Sequence, residues 1–171
     1  MWWTPTAGLS SDQARARREL EISLQKSAPS QRSRTLYYGF DHRNRSGIAL
    51  ARVLWLQGLP DQARRLAVQT EIEAIGLDHP VTRCIALIWS HSIYVWTGDE
   101  AQAQASLDAF AEIAEVNGFV PYIAAALGQR GVRAIETGRA VDGVAWIEES
   151  LARLHAARYE LLTTTFELAL A

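Results

Sequence analysis

"WLQGLPDQARRL", residues 55–66, is the stretch that decides the architecture. A Trp-bearing helix stops at Gly58, the chain turns through Leu59 and Pro60, and a second helix restarts with Ala63 on its inner face. Forty residues on the chain reads "WTGDEAQA", Trp96–Ala103, and forty further "ETGRAVDGVAW", Glu136–Trp146. Gly58, Gly98 and Gly138 are evenly spaced, and Ala63, Ala103 and Gly143 follow each by five positions. A fixed period of about 20–50 residues is the signature of a repeat architecture.

Each unit contains two helical stretches. In the first, roughly 41–57 carries Ile48, Ala51, Val53, Leu54 and Trp55 at helical spacings, and roughly 61–75 sets Ala63, Leu66, Ala67 and Thr70 on one side. Arg64, Arg65 and Glu71 are expected in solvent. The second pair is about 80–97 and 99–116, with Ala103, Leu107, Phe110 and Ala114 on one stripe. The third is about 121–137 and 140–157, with Val144, Ile147, Leu151 and Leu154 on another. Asp99 with Gln102 reads as a capping box. Pro80 and Pro121 suit a first turn, where the missing N–H would be unpaired anyway. Gly76 and Asn117–Gly118 read as helix stops in the left-handed conformation.

The expected fold is therefore all-α: a right-handed superhelical stack of antiparallel helix pairs, about 3.5 repeats long. Its units are about 41–76, 80–117, 121–157 and a partial 159–171, within a repeat region of 35–171. Residues 1–34 form an N-terminal arm, "MWWTPTAGLSS", and a capping helix over 13–26, followed by the linker "SAPSQRSR". The C-terminal "ELLTTTFELALA" reads as the first helix of a pair whose second is missing. Leu168 and Leu170 there imply a truncated array or a self-associating end, because solenoids normally shield the last apolar face.

At 171 residues, 49% hydrophobic and 21% charged, the chain can bury a sizeable core, and a disordered reading fails. A formal net charge of −2 offers no general attraction to nucleic acid. No apolar run reaches the ~20 residues a membrane helix needs, and "MWWTPTAGLSSD" lacks the basic and apolar regions of a secretory signal. A cytoplasmic protein is expected. Cys84 is the single cysteine, so a disulfide framework and a multi-cysteine metal site are both excluded.

Gly followed five residues later by a small residue, between antiparallel helices, is similar to the tetratricopeptide repeat, although the period is 40 rather than 34. The longer unit resembles the variety found in bacterial regulators of the maltose-activator type. "YYGFDHRNRSGIALARVLWLQGLPDQA", 37–63, and "LDHPVTRCIALIWSHSIYVWTGD", 77–99, resemble the helical repeat region of bacterial multidomain regulators and NTPase–cyclase signalling proteins. The resemblance spans about 30–171. The chain has no Walker-type phosphate loop and no recognition-helix pattern, so NTPase, cyclase and DNA-binding activities do not carry over. What the resemblance implies is the repeat region's role: holding a partner, a ligand or a neighbouring domain.

Chemistry-bearing residues are sparse. Cys84 and His91 stand seven apart and make half a metal site at best; neighbours such as Ser90, His91 and Ser92 point in different directions on a helix and form no nucleophile relay. No catalytic residue, metal or cofactor is expected. Arg43, Arg45 and Arg52 suit a carboxylate or phosphate, or else a solvated helix start with Asp41 favouring the dipole. In tetratricopeptide arrays the first helix of each pair lines the concave side. Carried onto matching positions, this gives a groove of Arg45, Ile48, Arg52, Trp55, Ile88, Ser92, Trp96, Val132 and Glu136. The competing reading makes Trp55, Trp89 and Trp96 core between stacked pairs. Gly128 and Gly131 imply close helix packing, or room in the groove.

The expected function is a non-catalytic scaffold, the interaction or sensory region of a signalling or transcription regulator, with a protein or peptide in its concave face. A small-molecule effector sensor using the same groove is the alternative. A third is a homo-oligomerisation module, such as a homodimer, with the groove filled by "MWWTPT" or another copy. Neither nucleic acid nor membrane is an expected direct partner.

Overall fold

A computed structural model describes residues 7–27, 39, 41–160 and 162–171. The described residues hold eight helices and no strand. They are α1 (Ala7–Lys26), α2 (His42–Leu56), α3 (Pro60–Ile75), α4 (Pro80–Thr97), α5 (Glu100–Val116), α6 (Val120–Glu136), α7 (Ala140–Ala156) and α8 (Thr163–Leu170). Residues 1–6 of the expected arm, and 28–34 of the expected linker, lie outside the described residues. The expected helix over 13–26 begins earlier, at Ala7.

The 40-residue unit divides again. Among the positive-φ residues, which also include Gly39 and Leu162, six recur at one position in every 20: Gly58 (φ 76°), Asp78 (49°), Gly98 (73°), Gly118 (64°), Gly138 (84°) and Arg158 (52°). Around five of these the next amide reaches back to a carbonyl of the preceding turn. The bonds are Leu59→Leu54, Asp99→Tyr94, Phe119→Ala114, Arg139→Ala134 and Tyr159→Leu154, at 2.8–3.0 Å. This satisfies carbonyls that a helix end leaves unpaired, and a left-handed residue is what closes the loop. Gly76 does not serve as such a stop. Its φ is −68°, and Asp78, two residues later, takes the left-handed position instead. A short polar side chain tolerates that conformation better than most.

Helix starts are equally local. Asp41 accepts from the amides of Arg43 (2.7 Å) and Asn44 (3.4 Å) and is almost fully buried, not solvated. His79 Nδ1 accepts from the Thr82 amide at 3.2 Å, and Asp99 Oδ1 from that of Gln102 at 3.3 Å. Prolines begin α3 and α4 and stand in the first turn of α6.

The chain forms two compact units, residues 1–106 and 107–171, with the boundary inside α5. In the first, α2 and α3 pack through Leu50, Ala51, Leu54, Ala63 and Ala67, joined by Ile93 and Tyr94 of α4 and Ala103 of α5. Ala63 and Ala103 are fully buried, so the recurring small residue lies inside the core between the helices. α1 covers α2 with Leu20 and Leu24; Arg17 donates to Gln57 at 3.3 Å, and Arg43 of α2 donates to the Leu24 carbonyl.

The second unit centres on Ala124, Ile147, Leu154 and Phe166. A Cβ on Gly131 would lie 2.8 Å from the Gly143 carbonyl oxygen, and one on Gly128 would lie 2.5 Å from the Phe166 ring. These glycines therefore serve close packing, and Phe166 of α8 fills the space beside Gly128. Ser150 Oγ donates to the Ala124 carbonyl at 2.7 Å across the same seam. The expected stripe on α7 holds at Ile147, Leu151 and Leu154, whereas Val144 is exposed.

Candidate interaction face

The first helices of the two N-terminal pairs, α2 and α4, contribute one aromatic–cationic cluster. Positions 45, 52 and 55 recur on one side of α2, and 85, 89, 92 and 96 on one side of α4, by the 3.6-residue period. Trp55 and Trp96, from the last turns of these helices, have ring centroids 4.6 Å apart at 34°. The Arg52 guanidinium lies 4.9 Å from the Trp89 ring centre and 5.7 Å from that of Trp96. Trp96 is 40% exposed, Trp55, Trp89 and Arg52 are half-buried, and Leu56, beside Trp55, is exposed.

The physical character of this cluster follows from its parts. The negative ring faces attract the delocalised cation, an interaction of about 0.5–1 kcal/mol at an exposed site. A guanidinium carries five N–H donors in a planar fork, a geometry that matches a carboxylate. The cluster thus combines part-exposed indole area with a guanidinium, the group that pairs best with a carboxylate.

The expected groove residues fall into separate environments. Arg52, Trp55 and Trp96 come together, with Arg45 exposed on α2 and Ser92 half-buried on α4. Ile48 points into the core with Ala74 and Ala86, and Ile88 is only 3% exposed, so neither is surface. In the second unit, Val132 packs against the core around Ile147, and exposed Glu136 accepts from Arg133 at 3.1 Å. The core reading of the tryptophans holds in part: Trp89 packs against Ile48, Ala74 and Ala86, and Trp55 against the core around Leu54, while Trp96 is exposed. The contact of Trp89 with Arg52, 37 positions away, gives it a second role.

The other candidates are structural in their surroundings. Arg43 donates to Glu73 at 2.9 Å and so is held within the first unit. Cys84 is fully buried, and burial pushes its thiol up to about 12, with nearby Arg83 opposing, so it stays an unreactive thiol at neutral pH. His91 is buried with Nδ1 3.0 Å from the Ala103 carbonyl oxygen. Among the described residues no group of three or more His, Cys, Asp or Glu is placed to hold a metal. No described helix is long and apolar enough to cross a membrane.

Glu71 is a correction to the sequence-based expectation. It is 9% exposed, not solvated, and its neighbours are the hydroxyls of Ser90, Tyr94 and Ser106. The signal was available in the spacing. Ala67, Glu71 and Ala74 follow one another at i, i+4 and i+7, all on the buried side of α3.

Comparison with protein-family models, with curated proteins and with solved structures finds no match to this chain.

Proposed function

We propose that this all-helical chain is a non-catalytic binding module, a tetratricopeptide-like right-handed stack of helix pairs, with its recognition face on α2 and α4. The observation that carries this reading is the Arg52–Trp89–Trp96–Trp55 cluster, left partly open to solvent on the first helices of consecutive pairs. Trp and Arg are the residue types that most often dominate interface energetics. Here they are prearranged by mutual contact, so less side-chain freedom is lost on binding.

The guest that suits this face is an extended or helical peptide segment. An apolar side chain would cover Trp55 and Trp96, and an adjacent acidic one would pair with Arg52. A larger regulator that carries such a segment, in the same chain or a partner, is the setting we infer.

The test is selection from a displayed peptide library against the full chain, repeated with Arg52→Glu and Trp96→Ala. Acidic–apolar sequences recovered by the parent chain and lost by both variants support the reading. Sequences retained equally by all three chains place binding elsewhere and overturn it. Failure to select any peptide, with a metabolite screen that raises Tm by mass action, would replace it with small-molecule sensing.

A further inference from the structure

The buried polar cluster around Glu71 has no part in the proposed recognition face, and its hydrogen bonding can be completed with a protonated carboxyl as well as with an ionised one. Ser106 Oγ lies 3.3 Å from Glu71 Oε1 and 3.0 Å from the Leu87 carbonyl oxygen. A hydroxyl carries a single hydrogen, and a backbone carbonyl can only accept. If Ser106 donates to Leu87, the hydrogen between Ser106 and Glu71 must come from the carboxyl. A protonated Glu71 supplies it. The remaining neighbours, Ser90 and Tyr94, are almost fully buried, and their hydroxyls make no hydrogen bond of good geometry.

Burial is the leading influence on Glu71, raising it from 4.5 to about 7 against the opposing hydroxyls of Tyr94, Ser106 and Ser90. The other groups nearby are accounted for on each packed element. On α4, His91 Nδ1 is engaged with the Ala103 carbonyl, and Tyr94 is itself pushed up by burial, then by Glu71 and Asp99. On α2, Asn44 donates to the Thr70 carbonyl at 3.0 Å, while Arg43 is paired with Glu73 at 2.9 Å. The largest influences on Glu71 thus come from burial and from hydroxyls. An ionised carboxylate buried without a cation is costly, and neutralisation relieves that cost.

We propose that Glu71, with the hydroxyls of Ser90, Tyr94 and Ser106, is a buried proton-binding site. It holds its proton when the N-terminal unit is folded, and releasing that proton loosens the packing of α3 against α4 and the start of α5. In the protonated state the carboxyl donates to Ser106, which donates to Leu87. In the ionised state Ser106 turns its hydrogen from Leu87 to the carboxylate, and the further donors in reach, Ser90 and Tyr94, both belong to α4, the helix that carries Trp89 and Trp96.

The sign of the pH dependence is set by the direction of the shift. Between the ordinary value of 4.5 and the folded value of about 7, the folded chain binds more protons than the unfolded one. The stabilisation is complete below the ordinary value, is lost as pH rises toward 7, and changes no further above it.

The experiment is denaturant unfolding of the full chain at pH 5 and pH 8, for the parent and Glu71→Gln, with carbon-13 titration of the glutamate carboxyls in the parent. Glutamine keeps the shape and cannot ionise, and all four histidines remain in both chains. The parent's unfolding constant should rise about 100-fold more than the variant's between these pH values. One glutamate signal should also titrate well above the rest. Equal pH dependence in the two chains, or glutamates that all titrate in the ordinary range, overturns the proposal. Should Glu71→Gln fail to fold, the carboxyl titration of the parent decides alone.

Discussion

Gly131 of α6 and Gly143 of α7 meet backbone to backbone: a Cβ on Gly143 would stand 2.6 Å from the Gly131 carbonyl oxygen. The reverse contact, from Gly131 to the Gly143 carbonyl, is 2.8 Å, and backbone atoms cannot swing aside as a side-chain tip can. Gly131→Ala and Gly143→Ala should each destabilise the chain by about 1–3 kcal/mol despite alanine's better helix propensity. Gly76→Ala is the counterpart, since its backbone is right-handed and its new methyl would meet nothing closer than 3.7 Å. It should be neutral or stabilising by up to about 1 kcal/mol. Denaturant midpoints of the three variants check both directions together.

Arg158 holds a left-handed φ of 52° in a turn where Gly58, Gly98, Gly118 and Gly138 stand at the equivalent positions. Relieving the contact between Cβ and carbonyl favours glycine there by about 1 kcal/mol. Arg158→Gly should accordingly raise stability, and Gly138→Ala should lower it by a similar amount. Thermal unfolding monitored by circular dichroism would show the two shifts as opposite in sign.

Asp41 caps α2 through two backbone amides while almost fully buried, and its own amide donates to Thr82 Oγ1 at 3.2 Å. Asp41→Ala removes the acceptor for those amides and should cost about 1–2 kcal/mol. Asp41→Asn, which retains a capping oxygen, should cost clearly less. Equal losses in the two variants would mean that the carboxylate's charge, and not the cap, matters here.

Arg52→Ala removes a cation stacked over Trp89 and Trp96 but vacates no core position. Its effect on stability should stay below about 1 kcal/mol. The emission of the tryptophans around it should change nonetheless. A loss above roughly 2 kcal/mol would identify Arg52 as a structural strut and weaken the case for recognition by this face.

The helix-and-turn pattern was legible because each of its causes lies within a few residues of the others. Gly58 closes a turn with Leu54 and Leu59, and Ala63 packs inward five positions later. A 40-residue period follows from glycines and alanines visible in one dimension. The finer 20-residue period was hidden because Asp78 and Arg158 occupy left-handed positions without the glycine that announces them.

What tertiary structure alone decided was which polar and aromatic side chains would be enclosed, and by whom. Spacing sets Glu71 on the same side of α3 as Ala67 and Ala74, but it does not say what encloses the carboxyl. Its burial depends on Ser106, 35 positions away, and on Ser90 and Tyr94 of a neighbouring helix. Spacing likewise could not separate Trp89 as core from Trp89 as the platform for Arg52. Helix periodicity specifies the side of a helix on which a residue lies; only packing of helices distant in sequence determines whether that side meets protein or water.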